Sequence, residues 1–153
     1  MEGEQLMSTE DVRKASKQFY NALTRMANGN ADQIGEIWLH EETATAMHPI
    51  GGRDVGWKAV KKSFEQVAGL ASDANIGLKD QLIHVVGDVA YEIGIEIGQA
   101  KIAGNQVTFN HRVTNIYQQK NGMWKMIHHH TDTSPAMLDV LSKLQPSTEK
   151  VEK

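Results

Sequence analysis

Cysteine is absent from the chain, which excludes thiol nucleophiles, iron–sulfur ligation and disulfide staples. Proline occurs only three times, and no apolar run approaches the roughly 20 residues that a membrane span needs. The start, Met1-Glu2-Gly3-Glu4, is acidic with no apolar stretch behind it, so neither a leader nor an anchor is expected and the expected location is cytoplasmic. Basic charge is also lacking. Sixteen Lys and Arg stand against nineteen Asp and Glu, a net charge of −3, which provides no field for nucleic acid or an acidic membrane surface. There is no Gly-x-Ser-x-Gly, no helical His-Glu-x-x-His and no phosphate-binding loop ending in Lys-Ser or Lys-Thr. What remains is a chain of 153 residues with 40% hydrophobic content. That is one domain's worth, able to bury about 70% of its extended-chain surface.

Residues 1–7 are polar and read as disordered. Ser8-Thr9-Glu10-Asp11 matches a capping box, after which Val12, Ala15, Phe19, Leu23 and Met26 recur at helical spacing. Asn28-Gly29-Asn30 stops that helix, and Ala31, Ile34 and Ile37-Trp38 suggest a second, short one. Thr43–Met47 reads as a strand, His48–Gly52 as a loop and Val55–Ala68 as a third helix. Ile76–Val86 is a long strand whose imperfect alternation predicts a bulge near Asp80. A three-stranded antiparallel meander follows from Val89 to Asp132, turned at Gly104-Asn105 and Asn121-Gly122. Pro135 opens a short helix through Leu144, and Ser147–Lys153 is a charged tail. The order of elements is that of an α+β domain over residues 8–134, one sheet folded around N-terminal helices.

Parity within the meander carries the site prediction. Val89, Tyr91, Ile93, Ile95 and Ile97 form an apolar row that is expected to face the helices, together with Phe109, Val113, Tyr117 and Ile127. His111, Asn115, His129 and Thr131 share that parity and are expected to point into the resulting cavity. The opposite face collects Glu92, Glu96, Arg112, Met126, His128, His130 and Asp132. It suits a homodimer contact in which Arg112 pairs with Glu92 or Glu96.

His111 and His129 are then candidates for acid–base work, or else satisfied core histidines. Tyr20 could direct a phenol into the cavity mouth, and Asn115 could steady a developing oxyanion. His48 could line the opening, and Asp80 is the carboxylate nearest the cavity side. No second acid appears on the inward row, which disfavours glycosidase chemistry. In His128-His129-His130 only the outer two can share a face, with Asp132 as the single further ligand in view, so no metal and no cofactor is expected.

Phe19-Tyr20, His48-Pro49 through Gly56-Trp57, Gly87–Ala90, Arg112–Asn115 and Gly122-Met123-Trp124 through His130 together resemble the nuclear-transport-factor-2-like superfamily, also called SnoaL-like or ketosteroid-isomerase-like. The resemblance spans about residues 9–134. It implies a cone of curved, mixed or antiparallel sheet wrapped around three helices, a cystatin-like α+β roll, with a pocket at the wide end and a homodimer through the outer sheet face. Ketosteroid isomerases use a helix-one tyrosine, to which Tyr20 corresponds, and two pocket aspartates that have no counterpart here. The Gly-Met-Trp and triple-His stretch is also similar to the association domain of calcium/calmodulin-dependent kinases, whose pocket arginines are replaced by Asn115 and Thr131. The expected function is an isomerase, cyclase or dehydratase acting on a small carbonyl-bearing compound. The alternative is a non-catalytic homodimer that binds a small apolar ligand, or a protein-association module.

Overall fold

The computed structural model describes residues 2–144. Helix α1, Glu2–Met26, begins six residues before the capping box, so Ser8–Asp11 lies within the helix and the segment from Glu2 is helical rather than irregular. The stripe from Val12 to Met26 is buried as its spacing requires, with Phe19 fully inaccessible, and Tyr20 is buried beside it. Gly29, at φ +97°, ends the helix with its N–H on the Met26 carbonyl. A single turn, α2 (Ile34–Ile37), leads to strand β1 (Thr45–His48). Gly51–Val55, expected to begin as loop, forms a second strand, β2, paired antiparallel to β1. Helix α3 (Trp57–Ala68) buries Val60 and Phe64. The chain continues through β3 (Ala71–Val86), β4 (Val89–Ile102), β5 (Asn105–Lys120) and β6 (Met123–Thr131), and closes with α4 (Pro135–Lys143). Ser134 caps α4, its hydroxyl accepting from the Met137 N–H. The tail at Ser147–Lys153 lies outside the described residues. None of the helices is long and apolar enough to cross a membrane among the described residues.

The six strands run in the order β2-β1-β6-β5-β4-β3, with β1 parallel to β6 and all other pairs antiparallel. The α+β class and the mixed sheet are as expected, but the cone of curved sheet wrapped around three helices is not. The sheet is open, with β2 and β3 as its edges and no pairing between them. Four strands separate β2 from β3 in the sheet, and the chain passes between them as helix α3 rather than as a hairpin that would pair them.

Two register features decide which residues face the helices. The expected bulge in β3 is present between Lys79 and Leu82, with Asp80 in a left-handed conformation at φ +55°. Asp80 is exposed there and does not approach the interior. A second bulge, unannounced by the sequence, falls at Ile127, because Tyr117 pairs with Met126 whereas Ile116 pairs with His128. Met126 and His129 are therefore both buried, and Met126 leaves the outer face where alternation had placed it.

The largest correction concerns β4. Its inward row is Ala90, Glu92, Glu96, Ala100 and Ile102, all buried, while Tyr91 and Ile93 are exposed. Register with β5 explains this: Glu92 lies opposite Asn115 and Glu96 opposite His111, and directly paired residues share a face. The alternating pattern said which residues stand together but not which set turns inward. The acids can be inside because the neighbouring helix and strands supply donors to them.

Gly98 sits in β4 at φ +144°, where an added Cβ would collide with the Asn75 carbonyl oxygen across the β3–β4 pair. Both the backbone conformation and the lack of space require glycine. Gly98→Ala is expected to destabilise the fold by about 2–3 kcal/mol. Urea unfolding measures this, and a change below about 0.5 kcal/mol, the scatter of a neutral surface change, would refute the packing argument.

Candidate active site

The interior polar groups form one connected network built from α1, β4, β5 and β6. Glu96 is 3% exposed. Its Oε1 accepts from His111 Nε2 at 2.7 Å and its Oε2 from the Tyr20 hydroxyl at 2.8 Å. His129 Nε2 stands 3.9 Å from Glu96 Oε2, beyond hydrogen-bond reach. Asn115 donates to the Tyr20 oxygen at 3.1 Å and to Glu92 Oε1 at 2.9 Å, while its own Oδ1 lies 2.6 Å from His129 Nδ1. Phe19 packs against the His129 ring at 5.2 Å. At the end of β1, His48 approaches Asp54 of β2 at 3.1 Å and meets Phe64 edge-on.

Four of these polar residues border a cavity of about 60 Å³. His48, Glu96, His111 and His129 supply its polar wall; Leu23, Phe64, Val67, Ile102, Phe109 and Met137 supply much of the apolar remainder. No arginine or lysine lines it. Among the described residues, no three His, Asp or Glu side chains are arranged to hold a metal ion.

Burial and pairing set the proton affinities. Burial pushes the His129 imidazole down to about 4, so it is neutral at pH 7. Burial also lowers His48, against the opposing pull of Asp54. Burial alone would raise Glu96, but the His111 hydrogen bond leads the interactions that outweigh it, and the carboxyl lies below its usual range. The Tyr20 and Tyr117 phenols are held well above theirs, first by burial and then by the carboxylates beside them.

All four expected site residues, His111, His129, Tyr20 and Asn115, meet in this network, but they do not stand alike. The two histidines line the cavity, whereas Tyr20 and Asn115 are absent from its wall and stand behind Glu96 and His129. Thr131 is buried without lining it, and its hydroxyl lacks a hydrogen-bond partner. Glu92 and Glu96, expected on the outer face, belong to the interior. Arg112 therefore cannot pair with either and instead grips Asp132, with Nε and Nη2 at 2.8 and 3.0 Å from the two carboxylate oxygens. The inward row thus does contain two acids. Only Glu96 reaches the cavity, however, so no pair of carboxylates flanks a bound bond there. The turn falls at Ala103-Gly104 rather than at the expected Gly104-Asn105, and only this one-residue shift sets Glu92 opposite Asn115 and Glu96 opposite His111.

An open mixed sheet packed with helices, with three imidazoles and a carboxylate in the wall of a mainly apolar cavity, defines an α+β domain with a buried polar site. The chain belongs to the SnoaL-like domain family, whose model matches residues 12–136. It thereby falls in the nuclear-transport-factor-2-like superfamily, as its motifs had suggested. Among solved structures it is similar to a candidate dehydratase of that superfamily from Streptomyces avermitilis, at 22% identity, covering 83% of this chain and 96% of the other, with a TM-score of 0.74. It is also similar to a candidate scytalone dehydratase from Novosphingobium aromaticivorans, at 12% identity over 88% and 89% of the two chains, TM-score 0.75. A third similar structure is a candidate ketosteroid isomerase from Shewanella frigidimarina, at 19% identity over 78% and 92%, TM-score 0.62. At these identities the likeness is one of fold. No curated protein matches the chain.

Proposed function

We propose that the protein is an acid–base enzyme of the isomerase, cyclase or dehydratase type, acting on a small, uncharged, largely apolar compound that bears a carbonyl. The observation that carries this reading is the gathering of His48, His111, His129 and Glu96 in the wall of a mainly apolar cavity. A neutral His129 with its Nε2 turned towards Glu96 can take a proton from the carbon next to the carbonyl. His111, held on Glu96, can return a proton to another carbon of the same compound, completing an isomerisation. It can equally give it to a departing hydroxyl, so that water leaves as the carbon–carbon double bond forms. An ionised Glu96 with no lysine or arginine in the cavity wall disfavours anionic substrates. The candidate dehydratases and isomerase of like fold are consistent with this chemistry.

The test is a panel of neutral cyclic β-hydroxy ketones and β,γ-unsaturated ketones, followed by ultraviolet absorbance of the conjugated product. Turnover that disappears in His129→Gln supports the reading. No conjugation with any member, despite saturable binding, favours the second reading, a non-catalytic ligand-binding domain. One observation speaks for that alternative. A cavity of about 60 Å³ holds about two waters and is well below the roughly 300 Å³ of an ordinary ligand pocket, so a ligand must displace apolar wall residues such as Met137.

We further propose that the working unit is a homodimer through the outer sheet face. The support is an exposed apolar row rather than the acids first expected there: Leu82, Tyr91 and Ile93 are 52, 40 and 40% exposed and adjoin one another across β3 and β4. Arg112, His128 and His130 lie on the same face. Ile93→Lys is expected to convert a dimer to a monomer in light scattering with the far-ultraviolet spectrum unchanged. A wild-type monomer at high micromolar concentration would end the proposal.

A further inference from the structure

Glu92 never reaches the cavity, yet it is fully buried and accepts three hydrogen bonds: Gln81 Nε2 at 2.6 Å on Oε2, and Asn115 Nδ2 at 2.9 Å and the Tyr117 hydroxyl at 2.7 Å on Oε1. Its donors are themselves fixed. Arg13 Nη1 donates to Gln81 Oε1 at 2.9 Å, which leaves the Gln81 nitrogen, and only the nitrogen, to face Glu92. On the other side, Tyr20 donates its proton to Glu96 and so can only accept from Asn115. Both amide hydrogens of Asn115 are thus committed, one to Glu92 and one to Tyr20. Turning the amide over would set its oxygen against a carboxylate oxygen and forfeit both bonds.

We propose that Glu92 is a positioning residue that fixes the tautomer of His129 through Asn115. With the Asn115 nitrogen held by Glu92, Oδ1 is the atom presented to His129, and at 2.6 Å it requires a proton on Nδ1. A neutral imidazole then carries its lone pair on Nε2, the nitrogen nearer Glu96. A chain of polar contacts therefore runs from Arg13 on the surface through Gln81, Glu92 and Asn115 to one ring nitrogen at the cavity. Its catalytic consequence rests on the acid–base function proposed above, but the tautomer itself does not.

The test reads the imidazole nitrogen NMR shifts of His129 at neutral pH, assigned by its absence in His129→Gln. In the wild type the Nδ1–H form is expected to dominate by about tenfold or more, the ratio sustained by a hydrogen bond worth about 1.4 kcal/mol. In Glu92→Gln, which can offer Asn115 either an oxygen or an amide group, the Nε2–H form is expected to rise to a comparable population. A wild-type ring protonated at Nε2 overturns the proposal. So does a folded Glu92→Gln whose His129 shifts are unchanged, because Asn115 would then be holding the tautomer without Glu92. Should Glu92→Gln not fold, Glu92→Met removes the acceptor without adding a second amide and is read in the same way; should neither fold, Tyr117→Phe, which takes one donor from Glu92 and leaves Asn115 in place, must leave Nδ1–H dominant, and its loss there overturns the proposal. If the acid–base function fails while the tautomer responds as described, turnover is absent from every protein and only the shifts change.

Discussion

Glu96→Ala is expected to lower the unfolding free energy by about 2–5 kcal/mol, the cost of leaving two buried donors without their acceptor. The loss does not come from Glu96 alone. Its carboxylate accepts from both His111 and Tyr20, so alanine strands an imidazole N–H and a phenol in a site from which water is largely excluded. Glu96→Gln keeps the shape and one acceptor oxygen, so it is expected to cost markedly less while still impairing any turnover, because His111 and Tyr20 then share a neutral amide with one acceptor oxygen in place of a carboxylate with two. Urea unfolding of both variants beside the wild type makes the comparison. Equal and small effects would show that the hydrogen bonds to Glu96 contribute little, and would remove the structural basis of the proposed acid.

The second large effect is a loss of stability in mild acid. His129 has an ordinary value of 6.5 and is held at about 4 in the folded protein. Between these values the unfolded chain binds a proton that the folded chain refuses, so stability falls as the pH drops from 6.5 to 4. At about 1.4 kcal/mol for each pH unit, His129 accounts for about 3 kcal/mol over that span. His48, also lowered by burial, adds a loss of the same sign over the upper part of this range. Glu96 has the opposite proton chemistry and the same consequence. Its folded value lies below the ordinary 4.5, so its contribution is present above that pH and is lost as pH falls further. On the alkaline side the raised Tyr20 and Tyr117 keep their protons in the fold, so stability declines again once the pH passes 10.0, where free tyrosines ionise. Denaturant midpoints measured from pH 4 to 8 are expected to rise and then level above about 7. His129→Gln, whatever its absolute stability, is expected to flatten the pH 4–6.5 limb, and an unchanged limb in that variant would place the acid sensitivity elsewhere.

The alternation of β5 was sufficient to put His111 and Asn115 indoors, since Phe109, Val113 and Tyr117 on the same row leave no other choice. Helix α1 was equally legible: an apolar stripe from Val12 to Met26 on a strongly charged background has one face that can be buried. Strand β4 was ambiguous for a physical reason. Its two rows are apolar and carboxylate-bearing, and hydrophobicity alone selects the apolar row for the interior, whereas five donors from α1, β3 and β5 make the acid row the buried one. Local sequence carries no term for donors that arrive from 11 to 76 residues away. The bulge at Ile127 was hidden for the same kind of reason, since β6 must satisfy a parallel partner, β1, on one side and β5 on the other.

The order and type of most elements and the presence of two inward histidines were thus written in composition and periodicity, because those depend on each residue and its near neighbours. Which face of β4 turns inward, whether the sheet closes, and which groups meet the His129 ring were decided only in three dimensions. Each depends on groups far apart in the chain meeting at hydrogen-bond distance, where a buried charge is stable only if its partners are already in place.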